Sequence, residues 1–201
     1  MKYMLALVAL LLATALLGLP TQSTQAAEFE YVGAKACGKC HKKDKEGEQL
    51  GIWEKSEHAK AFKTLGSPKA KEAAQKVGVS GDPQKSEACL VCHTTGYGLP
   101  DKRFDKKFEM KDGVQCESCH GPGGEYKSKK TMKKISDERG PDGKGDSPTA
   151  KATGLIVPDE KTCKTCHSQE IAYNGKTYKN PSYKDFNFKE KFDKIKHPIP
   201  Q

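Results

Sequence analysis

Residues 116–120 read Cys116-Glu117-Ser118-Cys119-His120, and this Cys-x-x-Cys-His pattern occurs three more times in the chain. The other copies are Cys37-Gly38-Lys39-Cys40-His41, Cys89-Leu90-Val91-Cys92-His93 and Cys163-Lys164-Thr165-Cys166-His167. Together the four copies use all 8 cysteines and four of the 6 histidines. Their spacing is unequal, which argues against a regular structural repeat. We therefore read them as four copies of one functional motif.

The pattern is the attachment signature of c-type haem. Its two thiols add to the vinyl groups of one haem, and the histidine that follows ligates the iron. Zinc knuckles, iron–sulfur sites, redox dithiols and disulfides also pair cysteines, but none requires a histidine after each pair. The sequence therefore predicts four covalently bound haem c groups. The predicted attachment residues are Cys37, Cys40, Cys89, Cys92, Cys116, Cys119, Cys163 and Cys166, and the predicted iron ligands are His41, His93, His120 and His167.

Four haems need four further ligands if every iron is to be six-coordinate, and few candidates remain. The histidines outside the motifs are His58 and His197, and both lie beside aromatic residues at helical spacing. Met110 and Met132 are the methionines that follow the N-terminal apolar segment. At most two haems can therefore have two histidine ligands. The other two have a methionine, an unusual ligand or an open position, and an open iron can bind small molecules.

The N-terminus has the pattern of an export signal. Lys2 precedes an apolar run without charge from Met4 to Leu19, and small residues lead to Ala26. The run is shorter than the roughly 20 residues that a membrane span needs, although an uncleaved anchor is the alternative. We predict a signal peptide at residues 1–26 and one haem-binding domain at residues 27–201. The mature protein is then periplasmic or extracellular, with no stable membrane insertion.

The composition is unusually polar for a folded domain: 35% of the residues are hydrophobic and 30% are charged. Such a chain buries little apolar surface of its own, so we expect the haems to form the core. The formal net charge is +9. Each ferric haem with two propionates contributes about −1, so the loaded protein is much less basic. The charge therefore does not predict nucleic-acid binding, and the lysine runs are read as solvated faces and docking rims.

Helical patterns occur in several places. Residues 46–65 place apolar side chains in one stripe, and Ser67-Pro68 and Gly78 bracket a second helix. We expect a helix opening near Asp159 at the fourth motif and a last helix from about Tyr183 to Lys196. Residues 121–124 and 139–149 are predicted loops. No segment shows a convincing strand alternation.

Several segments of the chain, which include the four Cys-x-x-Cys-His motifs and the stretch around His58, show a family resemblance. They resemble the tetrahaem cytochromes c that accept electrons from hydroxylamine oxidoreductase in ammonia-oxidising bacteria. The similarity runs through most of the predicted mature chain. Two of its stretches, Trp-x-x-Ser-x-His-Ala-x-Ala and Cys-x-Ser-Cys-His-Gly-Pro-Gly, also resemble a wider superfamily of multihaem oxidoreductases. The matching pieces are residues 37–41, 53–61, 89–98, 113–123 and 163–167, and a closing Phe- and Lys-rich helix that ends at His197.

The resemblance implies a mostly α, irregular fold in which helices and loops wrap round closely packed haems. It implies that His58 is the distal ligand of the fourth haem and His197 that of the third. It also implies a five-coordinate, high-spin second haem, on His93. The first haem departs from the family, because Lys130 stands where the family has its histidine, and Met132 lies two residues further on. Met132, Lys130 or no ligand are the alternatives there.

The leading interpretation is an electron-transfer protein with transient redox protein partners, rather than an enzyme. Two alternatives remain. One is reduction of nitric oxide or a related nitrogen species at an open haem on His93, although no general acid is identifiable for its distal side. The other is a subunit of a haem filament or extracellular conduit, which a chain with only 6 histidines fits poorly because such assemblies favour two histidines per iron.

Overall fold

The computed structural model describes residues 29–199, so the predicted signal peptide at residues 1–26 lies outside the described part. Short helices joined by turns dominate it, and the predicted mostly α class is confirmed. The helices are α1 Ala34–His41, α2 Gln49–Lys55, α3 Ala61–Thr64, α4 Pro68–Lys76, α5 Glu87–His93, α6 Cys116–His120, α7 Lys129–Arg139, α8 Pro148–Thr153, α9 Glu160–Lys164 and α10 Phe188–Ile195. Single 3-10 turns cover Asp44–Glu46, Pro83–Lys85, Asp101–Arg103 and Met110–Asp112. No helix among residues 29–199 has the length and apolarity to cross a membrane.

The four motifs occupy the C-terminal ends of short helices. Helices α1, α5 and α6 each end on the motif histidine, and α9 ends at Lys164, inside the fourth motif. Residues three apart share one face of a helical turn, so both cysteines of a motif can face one porphyrin edge. Helix α9 begins where the sequence predicts: Asp159 and Thr162 form a reciprocal capping box.

The predicted helix over residues 46–65 is wrong in one respect, because the structure divides it into α2 and α3. Ser56 is extended at the break, and its hydroxyl donates to the Trp53 carbonyl at 2.6 Å. This local bond competes with helix continuation. Trp53 Nε1 also donates to Val114 O at 2.8 Å, which ties α2 to the loop before the third motif. The break places His58 in a turn rather than on a helix.

Helix α4 begins where the sequence predicts: Ser67 Oγ accepts a hydrogen bond from Ala70 N, and Pro68 is the first helical residue. The last helix is shorter than predicted. It begins at Phe188 rather than near Tyr183, because Asn187 caps it by accepting from Glu190 N.

The absence of strands is a wrong prediction. Strands β1 (Glu170–Tyr173) and β2 (Lys176–Lys179) form an antiparallel hairpin with Tyr173 opposite Lys176. The connecting Asn174-Gly175 has φ values of 48° and 73°. Positive φ at both positions is the requirement of the two-residue type I′ turn, for which Asn-Gly is the strongest short-range signal. The alternation was missed because each strand is only 4 residues long.

Side chains alone form a small apolar core in the described part of the chain. One cluster holds Tyr126, Ile135 and Ala150, with Met132 and Leu155 packed against it. The other buried hydrophobic residues are Val32, Ala34, Leu65, Ala74 and Leu90. A fold with so few buried side chains needs apolar surface from another source, and that the haems supply it stays a prediction.

Candidate functional site

Three of the four candidate proximal histidines have their rings oriented by hydrogen bonds at Nδ1. His93 Nδ1 donates to Ala61 O at 2.9 Å, His120 Nδ1 to Ile156 O at 3.2 Å, and His41 Nδ1 to Gln49 Oε1 at 3.3 Å. An oxygen partner that only accepts requires the proton to be on Nδ1. Nε2 is then the unprotonated nitrogen, as a metal ligand must be.

Two pairs of imidazoles face each other across the fold. The ring centroids of His58 and His167 are 5.9 Å apart, and those of His120 and His197 are 5.7 Å apart. A metal–imidazole bond is about 2 Å long, so rings on opposite sides of one metal are roughly 6 Å apart. Both separations therefore match the space for one iron. Burial lowers the pKa of His58 and of His120, which favours the neutral imidazole that ligates a metal.

The eight cysteines all lie in the described part of the chain. Thiols from different motifs meet in pairs. Cys37 and Cys116 are neighbours, and the interaction with Cys116, together with burial, raises the pKa of Cys37. Cys92 and Cys166 are neighbours as well, and their interaction, together with burial, raises the pKa of Cys92. The first motif therefore neighbours the third, and the second neighbours the fourth.

The third and fourth motifs are neighbours as well. Burial raises the pKa of Cys119 to about 11, and the nearby Cys163 contributes to the rise. With the two thiol pairs, this gives a spatial order of the motifs that differs from their order in the sequence. Named by their histidines, the motifs follow one another as His41, His120, His167 and His93.

Buried polar side chains hold the first motif against the third. Glu117 and Gln115 are 2% and 1% exposed. The Glu117 carboxylate accepts from Val32 N at 2.8 Å and from Gly33 N at 2.7 Å, and Gln115 Oε1 accepts from Ala34 N at 2.8 Å. These are amides at the start of α1, which have no partner within the helix. The third motif thus caps the helix that carries the first.

The β1–β2 hairpin, which follows the fourth motif in the chain, contacts the segments on both sides of the second motif. It begins shortly after His167, and Tyr173 Oη donates to Tyr97 O at 2.6 Å in the loop that follows the second motif. On its second strand, Lys176 Nζ lies 2.9 Å from Glu87 Oε1, and Tyr178 Oη also donates to this carboxylate. Glu87 is the first residue of α5, which carries the second motif.

Sequence reasoning missed several of these supporting residues. Gln49 and Glu117 act through partners that are distant in the chain, so no local pattern points to them. Phe186 stacks on the His167 ring with centroids 5.0 Å apart, and it was not singled out either. Met132 packs beside Ile135 in the small core cluster, and its role as a ligand of the first haem stays a prediction.

The arrangement of imidazoles and cysteine sulfurs suits the axial positions and the edge of a haem. Between residues 29 and 199, no three His, Cys, Asp or Glu side chains gather as a protein metal cage would require. A zinc or iron–sulfur site takes four protein ligands, whereas a porphyrin already supplies four nitrogens and needs one or two axial ligands. Paired imidazoles with neighbouring thiols fit the second requirement.

An irregular helical fold with these motifs and imidazole pairs defines a multihaem c-type cytochrome. Residues 36–121 match the model of the family described as cytochrome c554 and c-prime. The chain is 32% identical over 187 residues to cytochrome c-554 of Nitrosomonas europaea, covering 84% of this chain and 69% of that protein. No solved structure matches the chain significantly. The chain belongs to the cytochrome c554 family. It is an electron-transfer cytochrome with covalently attached haem c, and its partners are redox proteins.

Proposed function

We propose that this chain is an exported, periplasmic tetrahaem cytochrome that passes electrons between transient redox partners. Residues 1–26 are its signal peptide, and residues 27–201 form one domain with one haem on each motif. The observation that carries the proposal is the presence of two pairs of facing imidazoles. His58 and His197 come from distant parts of the chain, yet each lies against a motif histidine at the separation of two ligands of one iron.

The ligand assignment follows from these pairs. His58 is proposed as the distal ligand of the haem on His167, and His197 as that of the haem on His120. Bound haem c supplies the one-electron chemistry, while the protein sets ligands, spacing and local charge. The Nδ1 hydrogen bonds of His41, His93 and His120 fix these three rings and raise their basicity. Phe186, stacked on His167, covers one face of that imidazole.

The order of the motifs gives the proposed path. Electrons pass along the haems of His41, His120, His167 and His93, because neighbouring thiols place neighbouring porphyrin edges close together. The hydrogen bonds of Glu117, on one side, and of the hairpin, on the other, hold consecutive motifs in this order. Exposed lysines surround this unit and steer partners by long-range attraction, which supports brief rather than permanent contacts.

The count of four haems is tested by intact mass spectrometry. We expect the mature holoprotein to exceed its chain by four haem masses. Changing both Cys163 and Cys166 to Ser is expected to remove one of them, since the fourth motif then has no thiol to form a thioether. The matched control is Thr165→Ala in the same motif, at an exposed position, which should keep all four. Three or fewer haems in the fully matured wild type would contradict the proposal.

The number of open irons is tested by carbon monoxide binding to the fully reduced protein. We expect fast binding at the haem on His93, since both spare histidines are assigned to other irons. A second fast site appears only if the haem on His41 also lacks a sixth ligand. If the Met132 thioether ligates that iron, Met132→Ala should raise the number of haems that bind carbon monoxide rapidly from one to two. Met110→Ala is the matched control. A protein that binds no carbon monoxide would remove the open site.

A further inference from the structure

The side chain of Gln49 lies between two of the proposed iron ligands. It is only 8% exposed. Its Oε1 is 3.3 Å from His41 Nδ1, and its Nε2 donates to Pro198 O at 2.9 Å. We propose that Gln49 is a positioning residue joining the proximal ligand of the first haem to the distal ligand of the third. The inference rests on the proposed function, because it takes His41 and His197 as ligands.

The orientation of the amide follows from its neighbours. Gln49 Nε2 faces two carbonyl oxygens, those of Glu46 and Pro198, which can only accept. The amide nitrogen must therefore be on that side, and Oε1 must face His41. His41 is then the donor through Nδ1, and its Nε2 is directed to the iron.

The Pro198 carbonyl connects Gln49 to the second ligand. It also lies 3.3 Å from Nδ1 of His197, the preceding residue. One carbonyl thus accepts from the Gln49 amide and from the His197 ring. The hydrogen bonds run from His41 through Gln49 to Pro198 O, and from His197 to the same oxygen, without a gap.

The C-terminal segment packs against the turn before α2 at this connection. Helix α10 ends at Ile195, before the ligand, and His197 itself is exposed. A Cβ at Gly47 would lie 3.0 Å from Pro198 Cβ and 3.3 Å from its carbonyl oxygen. The turn before α2 therefore has room for Pro198 only because residue 47 is glycine. Gln49 Nε2 then holds Pro198 there by donating a hydrogen bond to its carbonyl oxygen.

Two independent consequences follow for the loaded protein. The acceptor on His41 Nδ1 sets the basicity of that ligand, and a stronger acceptor lowers the reduction potential of its iron. The donor to Pro198 holds His197 in place, so its loss should leave part of the His120 haem without its distal ligand. If Gln49 had only a packing role, its replacement would not shift the reduction potential of the His41 haem in a direction set by the acceptor strength. It would also not change the spin state of a second haem.

The test compares Gln49→Leu with Gln49→Glu by potentiometric titration and electron paramagnetic resonance. Leucine removes the acceptor, so one of the four midpoints should rise. Glutamate is isosteric and a stronger acceptor, so the same midpoint should fall. Leucine cannot donate to Pro198 O, and neither can an ionised glutamate. At a pH where the glutamate is ionised, both variants should show a new high-spin fraction and faster carbon monoxide binding at one further haem.

Gln75, exposed on α4, provides the matched controls Gln75→Leu and Gln75→Glu, which should leave all midpoints unchanged. Unmoved midpoints in both Gln49 variants, or shifts of the His41 haem's midpoint in the same direction in both, would overturn the inference. So would loss of haem from Gln49→Glu alone, because positioning changes potentials and not attachment. Intact mass separates this failure from that of the proposed function, which fails if the wild type lacks four haems.

Discussion

His58→Ala and His197→Ala are each expected to convert one low-spin haem to high spin while leaving four haems attached. Each substitution removes an imidazole whose centroid lies 5.9 or 5.7 Å from a motif histidine. The thioether bonds and the proximal histidine remain, so attachment does not depend on the distal ring. The open iron should then bind carbon monoxide rapidly, since no ligand has to leave first.

The measurement is electron paramagnetic resonance of the oxidised variants, with the carbon monoxide count as a second reading. Matched controls come from exposed neighbours: Glu57→Ala beside His58 and Lys196→Ala beside His197. Both control side chains make only exposed ion pairs, with Lys60 and Asp193, which contribute little to stability. If both histidine variants keep the wild-type spectrum, the two residues are ordinary surface histidines and the ligand assignment is wrong.

Gly113→Ala should lower stability strongly and disturb the proposed ligand His58 from a distance. Gly113 has φ 82° and ψ −143°, a conformation that other residues rarely adopt. A Cβ there would lie 2.7 Å from the His58 carbonyl oxygen and 3.0 Å from that of Ala59. The same His58 carbonyl accepts from Val114 N at 3.0 Å. Because backbone atoms cannot rotate away, the segment that carries His58 must move.

Gly140→Ala is a close control for this variant. Gly140 has φ 74° and ψ −177°, and a Cβ there would meet no atom within 4 Å. Both substitutions thus cost about 1–3 kcal/mol of backbone strain, and the steric overlap adds on the order of 2 kcal/mol at Gly113 alone. The Gly113 variant should melt about 4–8 °C below the Gly140 variant and show a high-spin fraction. Equal melting temperatures and unchanged spectra would refute the steric argument.

The two spare histidines illustrate how far sequence reasoning reaches. Four copies of one motif are local patterns, and they predicted covalent haem without a structure. The pairing of His58 with His167 and of His197 with His120 was implied by resemblance and could not be read from spacing. It depends on where the turn after α2 and the segment after α10 lie, and both are set by contacts such as Trp53 with Val114 and Gln49 with Pro198.

The hairpin is a different case, since its turn was readable. Asn174-Gly175 is a sufficient local signal for two antiparallel strands, because few other residue pairs accept positive φ twice in succession. The contacts that the hairpin makes with the second motif's segment could not be predicted from the sequence. That Tyr173 reaches Tyr97, and Tyr178 reaches Glu87, depends on packing between segments far apart in the chain.

The sequence by itself determined the chemistry: four cysteine pairs, each followed by a histidine, and too few apolar side chains for an ordinary core. These are properties of residue type and short spacing, and they can be recognised without knowledge of the fold. Only the tertiary structure decided which motifs are neighbours and which imidazoles face each other. The buried carboxylate of Glu117 and the amide of Gln49 act between distant segments, because a desolvated polar group is stable only where the fold brings it a partner.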